Sequence, residues 1–186
     1  MAAADPAPAY LRYAGVLAAL LATARGLSVM AGIVRDESEG LIELLRGTGL
    51  RPRGLLASRT IAAAVGVAVL LLAAAGGAAL SAPALGATRT HAVQQVLGQW
   101  PVAVLFVAVA TLMVAIAPRA FSILWLLLAA GAVVALLGTL LGLPEWLIRH
   151  GPFTQAWRRE SLILAGIAVV FACAGVRLIG RREMST

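Results

Sequence analysis

Between Tyr10 and Gly180 the sequence carries five long apolar runs, and none of them contains an aspartate or a glutamate. That single feature removes most folds from consideration. Roughly 20 consecutive apolar residues cross the hydrocarbon core of a bilayer as a helix. In lipid every backbone amide must be satisfied inside the structure, which leaves helices or closed barrels. The runs are rich in Ala, Leu, Val and Gly and lack the period-two alternation of a barrel strand, so helices follow. With 61% hydrophobic and 12% charged residues and a mean hydropathy of +0.95, the balance is far from that of a water-soluble domain. The expected fold is a single all-α polytopic transmembrane bundle over residues 1–186, with about five spans near 10–33, 60–80, 101–117, 120–143 and 161–180. Only Pro118-Arg119 parts the third span from the fourth, which predicts a tight antiparallel hairpin.

All fifteen basic residues are arginines, and the net charge is +7. A basic balance can indicate nucleic acid, but these arginines sit at the ends of apolar runs with no basic stripe and no interleaved aromatics. They read as topology signals. With the N-terminus outside, nine arginines near span ends fall on the cytoplasmic side and five outside, which favours N-out and C-in under the positive-inside rule. The opening MAAADPAPAY has no cationic region, does not read as a secretory signal, and is expected to be a polar lead into the first span. Cys173 lies alone in the last run and has no internal partner. His91 and His150 have no second ligand at metal-binding spacing. Catalytic motifs are missing as well: there is no HExxH and no GxSxG, and a nucleotide-binding Walker A loop is impossible without lysine. The chain is expected to be no enzyme and to hold no cofactor, so any ATP that drives it binds elsewhere.

The polar stretch Arg35 to Arg59, RDESEGLIELLRGTGLRPRGLLASR, holds four of the eight acids and five of the arginines. Asp36 with Glu39 three residues on makes an acidic variant of a capping box, and acids in a first turn suit the helix dipole. Leu41, Ile42, Leu44 and Leu45 share one face of the predicted helix, Glu39 and Glu43 mark another, and Glu43 can pair with Arg46. Gly47 and Gly49 end it, and Arg51, Arg53 and Arg59 would meet lipid phosphates before the second span. Two readings stand at this point: a cytoplasmic loop whose arginines set topology, or an amphipathic helix gripped by a soluble partner.

Two further segments are expected at the outer surface. Ala92 to Trp100 places Val93, Val96, Leu97 and Trp100 at helical spacing, with Gln94, Gln95 and Gln99 on other faces, and should lie flat on the membrane. The loop PEWLIRHGPFTQAWRRE carries Trp146, Phe153 and Trp157 among charges, the composition of an interfacial aromatic belt, and reads as a half-buried or re-entrant turn broken at Gly151-Pro152. Arg25 lies about two turns inside the first span, where a charge near the centre costs roughly 2.5–3.5 kcal/mol on insertion scales. Either it contacts a substrate in a pathway, or it snorkels to the headgroups, and the short reach favours the second. Gly76-Gly77-Ala78-Ala79, Gly131, Gly138 and Gly142 would let helices approach closely.

The acidic cluster, Gly, ELL run and TGxR turn before an apolar span, followed by GLPEWLIRHGPFTQAW and the cationic tail GVRLIGRREMST, resemble the membrane subunit of a type-2 ABC exporter. The likeness is in particular to actinobacterial permeases of antibiotic (tetronasin-like) export and covers nearly the whole sequence. It implies that Glu39, Leu41, Ile42, Glu43, Leu45 and Arg46 form a coupling helix seated in an ABC-type ATPase subunit, which would hold ATP and Mg. It also implies an outer loop that closes the mouth of a path for apolar or amphipathic compounds. A second permease copy or partner half and a multi-pass location in a bacterial plasma membrane follow from the same resemblance. That family has six spans where five are drawn here, and MAAADPAPAY resembles the loop after its first span, so a truncated or split permease is also expected. A non-transporting membrane scaffold that recruits a cytoplasmic partner is the alternative.

Overall fold

A computed structural model describes residues 7–38, 52–144, 146, 153 and 160–182. The described residues are helical, in the order α1 Ala7–Ser38, α2 Pro52–Ser81, α3 Arg89–Leu97, α4 Trp100–Ile116, α5 Ser122–Leu137 and α6 Glu160–Arg182, with no strand among them. This is the expected all-α polytopic bundle. Four helical stretches are long and apolar enough to cross a membrane: Tyr10–Asp36, Gly54–Leu85, Arg89–Ile116 and Pro118–Leu137. The shorter apolar stretch Ile163–Leu178 lies in α6.

The helix ends show where sequence signals acted. Pro52 opens α2 at the position where its missing N–H costs nothing. Thr88 caps α3, its Oγ1 accepting the His91 N–H at 3.4 Å. Trp100-Pro101 opens α4 directly after Gly98 and Gln99, so Trp100 belongs to the spanning helix and not to the short one before it. Beyond Leu137 the chain turns through Gly142, whose φ of 61° needs glycine. There the Leu143 N–H reaches Gly138 O at 3.0 Å, the six-to-one bond of a Schellman end.

α4 is the centre of the bundle. Val102, Ala103, Val107, Ala110, Thr111 and Val114 are buried, and α6, α1 and α2 pack around it, the α4–α6 pairing being the most extensive among the described helices. In lipid the hydrophobic effect does not drive helices together, so contact depends on close approach and on interhelical hydrogen bonds. Both are present. A Cβ on Gly175 of α6 would stand 3.0 Å from the carbonyl carbon and oxygen of Thr111, and one on Gly26 of α1 would stand 2.7 Å from Val107 Cγ2. The hydroxyls of Thr60 in α2 and Thr111 in α4 lie 3.1 Å apart, and each is also within reach of a carbonyl of its own helix, so one donates across the gap while the other donates along its helix.

Several expectations are corrected here. The third and fourth spans do not form a packed hairpin: α5 leans on α1 and has few contacts with α4, because the non-helical Ala117 (φ −146°, ψ 73°) and the turn Pro118–Ala120 redirect the backbone. Gly76 and Gly77 have nothing within 4 Å of a Cβ at either, so the close approaches fall on other glycines. Asp36 is not a helix cap, since α1 continues through it to Ser38 with no breaker in its way. α2 begins at Pro52, well before Thr60, because polar side chains end a hydropathy run without interrupting the helical backbone bonds. α3 packs on α1 and α2 with Ala92 and Val96 buried.

Candidate functional site

At one end of the bundle the last turn of α1 lies beside the second turn of α2. Arg59 crosses this junction: its Nη2 stands 3.7 Å from Asp36 Oδ2, and its Nη1 would lie 3.8 Å from a Cβ on Gly32, one turn before Asp36. An acid in a last helical turn opposes the helix dipole, and the guanidinium across the gap offsets that. Both side chains are about a third to two-fifths exposed, so the pair positions the two helices more than it stabilises them. Segment 39–51 therefore joins two helices whose termini are side by side. Glu39, Leu41, Ile42, Glu43, Leu45 and Arg46 lie outside the described residues, as does the predicted pairing of Glu43 with Arg46.

A second polar constellation sits at the other end. Thr60, next to Arg59, meets Thr111, and Gln99 lies 12 residues before Thr111, about 18 Å away along the axis of α4. Gln99, expected with Gln94 and Gln95 on faces away from the apolar stripe, is buried, whereas Gln94 is exposed. Its burial is supported by a bond across the fold: Nε2 donates to the Phe153 carbonyl oxygen at 3.1 Å. Its Oε1 has no hydrogen-bond partner among the described residues. Phe153 itself is wholly buried, and its ring stacks on Phe106 with centroids 5.9 Å apart and an interplanar angle of 20°. Gln99 and Phe106 are residues that sequence reasoning missed. Gln99 read as one of three similar glutamines, and its partner lies 54 residues away. Trp146 is exposed, as an interfacial aromatic would be, and Trp157 lies outside the described residues.

Arg25 falls at neither end. It is exposed on the outer face of α1, in line with Leu17 and Leu21 at four-residue steps, while Ala22, Gly26 and Leu27 face the packed interior. The structure thus brings together Asp36 with Arg59 and Gln99 with Phe106 and Phe153, and leaves Arg25 apart from both.

Long apolar helices packed through glycine contacts and hydroxyl pairs, with these polar constellations toward the two ends, define a multi-pass membrane-embedded bundle. The sequence matches, over residues 1–179, the family described as multidrug efflux system permease Rv1217c, C-terminal domain. The protein belongs to that family and is a permease domain of an efflux system. No curated protein matches it.

Proposed function

We propose that this protein is the membrane-spanning subunit of an ABC-type exporter that moves apolar or amphipathic compounds, antibiotics among them, out of the cell. A separate ATPase subunit supplies the energy and holds ATP and Mg. The observation that carries this reading is the Arg59–Asp36 junction, which presents segment 39–51 from two adjacent spanning helices in a member of the efflux permease family. A partner that grips Glu39, Leu41, Ile42, Glu43, Leu45 and Arg46 would pull on α1 and α2 together. Motion of α2 reaches α4 through the Thr60–Thr111 contact, and α4 carries the Gln99 and Phe106 seat of Phe153. The loop around Phe153 then serves as the outer closure, opening when α4 shifts. On this reading the N-terminus is outside, the C-terminus and segment 39–51 are cytoplasmic, and a second permease copy or partner half completes the path.

Co-purification tests the coupling assignment. The ATPase is expected to come down with the wild-type protein and to be lost when Glu39, Glu43 and Arg46 are together changed to Ala. Equal recovery with both proteins removes these residues from the contact. Topology has its own check: a cysteine placed at Gly49 should stay unlabelled by an impermeant thiol reagent outside intact cells, and labelling there inverts the orientation.

A further inference from the structure

Arg25 stands deeper in its helix than the sequence suggested. Because α1 runs on to Ser38 and meets Arg59 only at Asp36, Arg25 lies 11 residues, about 16 Å, from that junction. It lies 15 residues, about 22 Å, from Tyr10 in the other direction. A hydrocarbon core is about 30 Å thick, so the Arg25 backbone sits near its middle. Snorkelling does not bring the head group out cheaply. Helical side chains lean toward the N-terminus, which carries Arg25 over Leu21 and away from the nearer interface. The side chain is exposed, turned away from the packed face, and no described residue pairs with it.

A charge kept at that depth is costly unless it is paired or faces a water-filled path, and an anion is the partner that neutralises it. The sequence itself offers none: no aspartate or glutamate occurs from Tyr10 to Arg35, nor in Gly54–Leu85, Arg89–Ile116, Pro118–Leu137 or Ile163–Leu178. A second copy therefore cannot supply the carboxylate either, and would bring Arg25 against another guanidinium if it docked on this face. Lipid phosphates lie at the interfaces, more than about ten ångströms away by the same helix geometry. What enters the core carrying its own negative charge is an amphiphile in transit. We propose that Arg25 recognises the acidic group of the transported compound, so that the substrates are amphipathic acids: a carboxylate or similar anion on an apolar body that rests along Leu17 and Leu21. This rests on the permease reading and narrows its substrate class.

The test uses the full-length protein purified into phosphatidylcholine nanodiscs. Two fluorescent probes, 11-(dansylamino)undecanoic acid and its methyl ester, are titrated at pH 8 against empty discs. The acid is expected to bind at least tenfold more tightly than the ester. Arg25→Met should bring the acid to the level of the ester and leave the ester unchanged, and Arg25→Lys should keep most of the preference. Equal binding of the two probes to wild type, which is also the result if Arg25 pairs with a carboxylate of another subunit, overturns the proposal. So does a preference that survives Arg25→Met, absence of binding by both probes, or loss of the preference when a third of the lipid is phosphatidylglycerol, which would give the site to a lipid headgroup. ATP-driven uptake into everted vesicles carrying the protein with its co-purifying ATPase separates the two readings. Uptake of acid and ester alike, unchanged by Arg25→Met, ends this proposal and leaves the permease reading intact. Arg25-dependent binding of the acid without any ATP-driven uptake ends the permease reading and the claim that the bound acid is cargo, and leaves only the recognition of the acid by Arg25.

Discussion

Replacing Gly175 by Ala adds one methyl group where the backbones of α6 and α4 come together. The new Cβ would stand 3.0 Å from the Thr111 carbonyl carbon and oxygen and 3.1 Å from Leu112 Cα, where ordinary contact begins near 3.4 Å. All three obstructing atoms are backbone, so no rotamer change in α4 makes room. α6 must move back by about half an ångström along the most extensive of the described helix pairs. Overpacking of this kind costs roughly 1–3 kcal/mol, and the gain in backbone entropy from Gly to Ala returns about 0.5–1 kcal/mol. The net loss against wild type is then about 0–2.5 kcal/mol, and the full cost of about 1–3 kcal/mol shows against a Gly→Ala change that meets no obstruction. Gly166 supplies the internal control, since it lies on the same helix with nothing within 4 Å of its Cβ position. Gly166→Ala should be neutral or slightly stabilising. Thermal unfolding in detergent, followed by loss of the monodisperse peak on size exclusion, should place Gly175→Ala roughly 3–8 °C below Gly166→Ala. Thr111→Ala alongside Gly175→Ala should not relieve the effect. If Gly175→Ala is as stable as Gly166→Ala or more so, α4 and α6 do not approach each other this closely.

Phe153→Ala should loosen the loop around it, because a wholly buried aromatic of this size is worth about 3–5 kcal/mol, whereas the Gln99 bond reaches only its backbone carbonyl. Limited proteolysis should then cut between residues 144 and 160 many times faster than in wild type, with Phe153→Leu intermediate. An unchanged cutting rate would show that Phe153 does not hold the loop. Breaking the Asp36–Arg59 pair with Asp36→Ala should cost no more than about 1 kcal/mol, given its exposure and 3.7 Å separation. The effect should shrink in high salt, and a double-mutant cycle with Arg59→Ala should return a coupling of the same small size. A coupling of several kcal/mol would mean that the junction is buried in the assembled protein.

The sequence by itself determined the solvent and, from that, the class of fold. Five apolar runs free of acids can satisfy their backbone in lipid only as helices, and the span from Trp100 to Ile116 lies within a residue of its expected bounds. Gly, Pro and Thr placed several ends for local reasons, as at Thr88 and Pro52. The charge at Arg25 and the aromatic at Phe153 were visible too, as residues out of keeping with their surroundings. What the sequence could not supply was pairing. In lipid, apolar faces are equally at home against neighbours or acyl chains, so hydropathy says nothing about which helix meets which. That is why the sequence predicts a hairpin of α4 and α5 that does not pack, and why it points to Gly76-Gly77 while Gly26 and Gly175 make the close contacts. Gln99 became distinct from Gln94 only when Phe153, far along the sequence, came to accept its proton. The distance of Arg25 from the end of its helix was set by how far α1 runs, past Asp36 and its arginine on the next helix. Composition and periodicity act over a few turns, and so they reach the elements; contacts that decide the site join residues dozens of positions apart, and only the tertiary structure brings those together.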